Sequence, residues 1–290
     1  MASIFNIDEW FKEVFQDLAR SSVNNFVETV QAMPEKAEKY LTDTPETFSG
    51  GTIFTMIREM SINAIVPIAI IILTMVVCYD FISQFMNRST RDMDVDVVMK
   101  LCFKLGIGIF LLNHVFDLTT GVFELGSSAV THLVGTISKG TEFSISSGTF
   151  ANIDDKVAEL GIGESLIVSF MGLIGYLIQL VCNIFVQVIC IARMLEIYIY
   201  CSISPIPFAT LTNREWGGIG TNFIKNLFAL AFQAFMMEIC IAIFNSMISG
   251  ALSSGATLIS AMFECLVMGV MLCYTMFRCG TISRSIFNAM

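Results

Sequence analysis

The longest uncharged stretch of the chain, residues 166–192, limits most strongly what this protein can fold into. It holds no acidic or basic side chain over 27 residues, more than the roughly 20 residues with which a helix crosses a bilayer. Arg193 and Glu196 follow, and apolar sequence then resumes up to Pro205 and Pro207. Because each proline lacks an amide hydrogen and fixes φ, we predict a membrane helix that the two prolines break.

The composition of the whole chain points to lipid as its main solvent. Charged residues make up 14% of the sequence and the mean hydropathy is +0.73, whereas soluble domains carry about 25% charged residues. The formal net charge is −9 and lysines and arginines form no cluster, which argues against nucleic-acid binding through a basic patch. The nine cysteines lie in or beside apolar runs without zinc-site spacing, so we interpret them as packing residues.

Hydropathy divides the chain into five predicted membrane segments. They are residues 61–86, 97–118, 164–203, 222–248 and 255–277. The predicted fold class is therefore all-α, a polytopic membrane helical bundle of about five transmembrane helices plus an N-terminal amphipathic helix. Two shorter segments in place of 164–203 are the alternative. The predicted domains are an extracytoplasmic N-terminal region with a linker at 1–60 and a transmembrane domain at 61–290, which includes an outer polar connection at 119–163.

The N-terminal region begins with an amphipathic pattern. Over residues 1–32, Trp10, Phe11 and Val14 recur at helical spacing between charged residues. The apolar face fits either the membrane interface or a partner subunit. Residues 34–52 contain two prolines and two glycines, which predicts a linker.

Basic residues near the ends of the segments predict the orientation. They concentrate between the first two segments, after the third and in the C-terminal tail, as Arg88, Arg91, Lys100, Lys104, Arg193, Arg214, Lys225, Arg278 and Arg284. Since lysine and arginine are retained on the cytoplasmic side, we predict a multi-pass plasma-membrane protein with its N-terminus outside and its C-terminus in the cytoplasm.

Four ionisable residues within apolar sequence are candidates for function. Arg193 and Glu196 share a helix face at the expected cytoplasmic edge; they indicate either a subunit contact or pore mouth, or an ordinary interfacial ion pair. Glu238 and Glu264 are expected at one depth near mid-membrane, facing either a water-filled pore or a polar protein interface. We find no catalytic, cofactor or metal motif, and therefore predict neither an enzyme nor a cofactor.

Residues 193–198 and 202–209 resemble the central signature of the TrbL-like polytopic channel component of type IV secretion systems, in particular the forms carried by conjugative elements of Gram-positive bacteria. The order of five predicted segments fits this family as well. The positions that match the signature are Arg193, Glu196, Ser204, Pro205 and Pro207.

The resemblance implies a scaffold and translocation component in the bacterial plasma membrane that helps move a DNA–protein substrate. It further implies a homo-oligomer, with a pentamer as one expected size, surrounded by membrane lipid and working with other secretion-channel subunits and secretion ATPases. The alternative function is a self-contained ion or proton channel or transporter that uses Glu238 and Glu264. Secretion ATPases encoded beside the gene would favour the first, and proton flux through the purified protein would favour the second.

Overall fold

The computed structural model describes residues 2–87, 95–137, 153–213, 215–253 and 257–289, and within these ranges it is helical without strands. Five helical stretches there are long and apolar enough to cross a membrane. The predicted all-α polytopic bundle is therefore confirmed. Arg88, Arg91 and Arg214, which contributed to the predicted orientation, lie outside the described residues.

The helices follow in chain order as α1 (Ala2–Thr42), α2 (Thr52–Met60), α3 (Val66–Asn87), α4 (Val95–Ile137), α5 (Ile153–Ala158), α6 (Ile162–Ile203), α7 (Pro205–Thr210), α8 (Gly217–Ser253) and α9 (Leu258–Ile286). A short 3₁₀ turn precedes α2, and a π-helical turn joins α2 to α3. The third predicted segment is one uninterrupted helix, α6. The second is longer than predicted, because α4 continues to Ile137 into the predicted outer connection.

The chain forms two compact units. Unit 1 comprises Met1–Leu41, Thr131–Ile191 and Met236–Cys279, and unit 2 comprises Thr42–Val130, Ala192–Phe235 and Gly280–Met290. Helices α4, α6, α8 and α9 each contribute residues to both units.

In unit 1, helix α1 packs lengthwise on α6. Its fully buried seam recurs every three or four residues, as expected for an amphipathic helix, and consists of Ala19, Val23, Phe26, Val30, Met33, Ala37 and Leu41. Of the predicted linker at 34–52, the first part is helical, because α1 continues through Pro34 to Thr42, whereas residues 43–51 form a turn and a 3₁₀ turn. Pro34 is itself buried, so packing of the surrounding seam offsets the hydrogen bond that a helical proline removes.

Unit 2 contains two apolar cores. The first joins α4, α6 and α8 and is covered by the segment around Phe48 and Phe54; it consists of Phe116, Phe123, Met194, Ile197, Tyr198, Cys201, Leu227, Leu230 and Ala231. The second joins α3, α4 and α7 and consists of Ala69, Leu73, Leu112, Val115, Phe208 and Ala209. The last turns of α6 and all of α7 thus belong to the interior of unit 2.

Candidate functional site

Arg193 lies in unit 2, in the last third of α6, and its side chain is only 2% exposed. Its guanidinium Nε donates a hydrogen bond to the Leu230 carbonyl oxygen of α8 at 3.4 Å. A guanidinium stays charged, and burying it is costly unless polar groups surround it. The contact therefore fixes α6 against α8 at a defined register.

Glu196 is bound by a residue of α9. Its carboxylate accepts a hydrogen bond from the Arg284 guanidinium, and both side chains remain partly exposed. The sequence offered Arg193 as a partner because of its spacing, but it could not reveal a partner 88 positions away. A partly exposed pair of this kind contributes little stability, typically below about 1 kcal/mol, so its main effect is to orient α9 on α6.

Tyr198 is a site residue that the sequence analysis missed. Its hydroxyl donates to the Pro45 carbonyl oxygen at 2.8 Å within the core of unit 2, and its ring lies 6.3 Å from that of Phe48. The signature segment is therefore tied to the turn that follows α1. Tyrosine within an apolar helix was the only available signal, since a buried hydroxyl usually has a partner.

The two signature prolines interrupt α6 without ending the helical path. Helix α6 ends at Ile203 as predicted, but Ser204 keeps helical backbone angles and α7 begins directly at Pro205. The Phe208 amide donates to the Ser204 carbonyl oxygen at 3.2 Å. Proline suits the first turn of a helix, where its missing amide hydrogen has no helical acceptor. The predicted break is therefore a junction between two helices, and Pro205 and Pro207 are buried there.

Helix α8 packs tightly on this junction. A Cβ atom at Gly220 would lie 2.6 Å from the Pro207 carbonyl oxygen and 2.5 Å from the Leu211 side chain. Only a glycine therefore allows the first turns of α8 to come this close. The signature thus meets α8 through both Arg193 and the prolines.

Glu238 and Glu264 lie in unit 1 but at different depths. Glu238 is 3% exposed, whereas Glu264 is half-buried. At a rise of 1.5 Å per residue, Glu238 lies about 22 Å before the end of α8 and Glu264 about 9 Å after the start of α9. The expectation of a shared depth assumed segments that end at 248 and begin at 255, whereas α8 continues to Ser253 and α9 begins at Leu258.

A polar row on α6 was also missed by the sequence analysis. Gln179 is fully buried and its amide occupies the space where a Cβ of Gly269 would be. The Gln187 amide donates to the Asn183 side-chain oxygen at 2.7 Å. These amides recur every four residues and so follow one helix face. Among the described residues, no three histidine, cysteine or carboxylate side chains are placed to hold a metal ion.

Comparison with known families decides the identity. The profile of the TrbL/VirB6 plasmid conjugal transfer-like proteins matches residues 30–205, more than half of the chain. The chain belongs to this family. Searches among curated proteins and among solved structures gave no match.

The TrbL/VirB6 match confirms the resemblance and makes this chain a multi-pass membrane component of conjugative type IV secretion. The family is a structural part of the secretion system and not an enzyme family. The matched residues include the last third of α1, all of α6 and the signature up to Pro205. They do not include α8 and α9, so family membership carries no statement about Glu238 or Glu264.

Proposed function

We propose that this TrbL/VirB6 family member is a scaffold and channel subunit that helps translocate a DNA–protein substrate across the bacterial plasma membrane. The observation that carries the proposal is the family match over residues 30–205 together with the five apolar helices. The subunit works as a homo-oligomer, with the other secretion-channel subunits and the secretion ATPases as partners. Its N-terminus lies outside and its C-terminus in the cytoplasm, as the basic residues predict.

We infer that the signature residues act in assembly. Arg193, Glu196 and Tyr198 hold three separate segments of unit 2 in place, through α8, α9 and the turn at Pro45. The proline junction with Ser204, Pro205 and Pro207 continues this arrangement into α7. A rigid platform at the C-terminal end of α6 would give the partner subunits a fixed surface on which to dock.

The charge of the chain restricts how the substrate passes. With a net charge of −9 and no basic cluster, the subunit does not attract phosphates as DNA-binding proteins do. We therefore propose that the DNA passes this chain with its phosphates shielded by accompanying protein and is not held by a basic patch.

Glu238 is buried, and its Oε2 has no hydrogen-bond partner among the described residues. This is the one observation that favours the alternative of an ion or proton pathway. A lone buried carboxyl can carry a proton in a transporter. However, Cys240, two residues after Glu238, contacts Cys279, fifteen residues after Glu264. At 1.5 Å per residue the two carboxyl groups are separated by more than about 20 Å along the helices, which speaks against a paired site.

One genetic experiment separates the two functions. The gene is deleted in frame from the donor, and conjugative transfer is measured after complementation with the wild-type chain or with a Glu238→Gln, Glu264→Gln double variant. A translocation subunit should restore transfer in both forms, because the amides preserve shape. Transfer that persists in the deletion strain would overturn the proposal. Loss of transfer in the double variant alone, at normal protein level, would favour the ion pathway.

A further inference from the structure

Two cysteines of unit 1 bring their thiols together between α8 and α9. The Sγ atom of Cys240 in α8 lies 3.5 Å from the Sγ atom of Cys279 in α9. The two residues are 39 positions apart in the chain, so their spacing in the sequence does not reveal the contact. Because a disulfide joins its sulfur atoms at about 2.0 Å, the two thiols would need to approach by about 1.5 Å to form one.

The packing around this pair holds the two helices in place. Met237 and Met276 precede Cys240 and Cys279 by three residues each, and both side chains are fully buried. Residues three apart lie on the same face of a helix. The two cysteines therefore follow on from a packed contact between α8 and α9, and the chain needs no large movement to bring their sulfur atoms together.

A cavity of about 110 Å³ between α8 and α9 makes one of the two thiols accessible. Its lining includes Cys240 and the methionines Met247, Met268 and Met271. Methionine side chains are flexible, so this wall can yield to a small molecule. Cys240 is half-buried, whereas Cys279 is fully buried. A reagent that enters the cavity therefore meets Cys240 first.

Helix α9 has a second thiol contact, on a different neighbour. Cys273 is in hydrogen-bonding contact with Cys182 of α6, and Cys182 is buried. Two thiol pairs thus connect α9 to both α6 and α8 within unit 1. The second pair provides a comparison within the same molecule, because it tests whether proximity alone determines which cysteines react.

We propose that Cys240 and Cys279 are a redox-active thiol pair, whose oxidation to a disulfide fixes α8 on α9. The oxidant is a low-molecular-weight organic disulfide. The Cys240 thiolate attacks one of its sulfur atoms, which forms a mixed disulfide and releases the first thiol of the oxidant. The Cys279 thiolate then attacks the Cys240 Sγ and displaces the second thiol. Two electrons pass from the cysteines to the oxidant, and their two protons end on the released thiols.

The disulfide would close the part of the chain that contains the turn between α8 and α9. Such a cross-link restricts the unfolded chain and so stabilises the folded one. It would also prevent α9 from sliding along α8, and a dithiol reductant would reverse it. The proposal goes beyond the translocation role and does not depend on it.

Thiol mapping of the full-length protein in its native membranes tests the pair. The membranes are treated with dithiodipyridine, an apolar aromatic disulfide, at mildly alkaline pH, where more of a thiol is ionised. Free thiols are then blocked with a maleimide, and mass spectrometry of the unreduced peptides identifies the linked cysteines. The test variant is Cys279→Ser. The matched control is Cys265→Ser, a buried position of the same helix.

Wild type and Cys265→Ser should both yield the Cys240–Cys279 linked peptide. Their Tm in detergent should rise by at least about 4 °C on oxidation and fall back on reduction. Cys279→Ser should keep a thiopyridyl group on Cys240 and show no such rise, because no thiol is left to displace that group.

Three results would overturn the proposal. They are wild-type Cys240 and Cys279 that remain free, a thiopyridyl group that stays on wild-type Cys240, and a disulfide formed only between Cys182 and Cys273. None of these readouts depends on DNA transfer, so a failure of the proposed translocation role would show separately, in the mating assay.

Discussion

A single hydroxyl group, that of Tyr198, joins the family signature to the turn that follows α1. The side chain is 2% exposed, and its acceptor, the Pro45 carbonyl, belongs to a buried residue. Leaving a buried acceptor without its donor costs more than the hydrogen bond gains, because the group has lost its water as well. The hydroxyl therefore stabilises the packing of the segment around Phe48 on α6.

Tyr198→Phe should lower the free energy of unfolding by about 1–3 kcal/mol, because the Pro45 carbonyl oxygen would remain buried without a donor. Thermal unfolding of the purified protein in detergent measures the change. The matched control is Tyr200→Phe on the same helix, whose ring stacks on Phe223 at 5.4 Å and which should change stability by less than about 0.5 kcal/mol. Equal effects of the two variants would mean that the Pro45 contact contributes nothing of its own.

At the scale of the helix pair, the close approach of α1 to α6 depends on Gly172, which has no side chain. Gly172 faces Ser22 so closely that a Cβ would lie 2.8 Å from the serine Cβ and 3.1 Å from its backbone carbonyl carbon. Small residues at such crossings let two backbones come together. This close approach lets Ser22 and Phe26 of α1 pack against Gly172 and Gly175 of α6.

Gly172→Ala should separate the two helices and destabilise the protein by about 1–3 kcal/mol, as overpacking typically does. Gly106→Ala in α4 is the matched control, since nothing lies within 4 Å of its added methyl group; it should stabilise the helix by up to about 1 kcal/mol. Thermal unfolding and the rate of proteolysis within α1 report both changes. Stabilisation by Gly172→Ala would show that α1 does not pack on α6 as described.

The junction at the prolines is the second feature at this scale. Replacing both Pro205 and Pro207 by alanine restores two amide hydrogens, so α6 and α7 should join into one continuous helix. Membrane insertion should be unchanged while conjugative transfer is lost, because α7 leaves its place against α8. Pro67→Ala, at an exposed position of α3, is the control and should transfer normally. Full transfer by the double variant would show that conjugative transfer does not require the proline junction.

The positions of the five apolar helices were predictable because hydropathy alone determines them. Their ends were not, since α4 continues to Ile137, beyond the predicted segment. The N-terminal helix α1 likewise passes through Pro34, which is buried beside the seam of that helix. The partners of the site residues were equally hidden. Arg284 reaches Glu196 of α6 only through the register of α9. The offset between Glu238 and Glu264 follows from where α8 ends and α9 begins.

At the scale of the whole molecule, the orientation in the membrane stays a prediction from charge. Since basic residues favour the cytoplasmic side, a cysteine introduced at Ser146 should be labelled by an impermeant maleimide in intact cells. One introduced at Asn288 should be labelled only after permeabilisation. Ser146 lies outside the described residues, so this test draws on the sequence alone. The reverse labelling pattern would invert the predicted topology.

The central claim is that this TrbL/VirB6 family member takes direct part in moving the substrate. The most direct measurement cross-links donor cells during mating, isolates the chain under denaturing conditions and quantifies the transferred strand by amplification. We expect the transferred strand to be recovered with the wild-type chain and lost when a secretion ATPase is inactivated. Recovery with other channel subunits but never with this chain, present at its normal level in the membrane, would contradict the account.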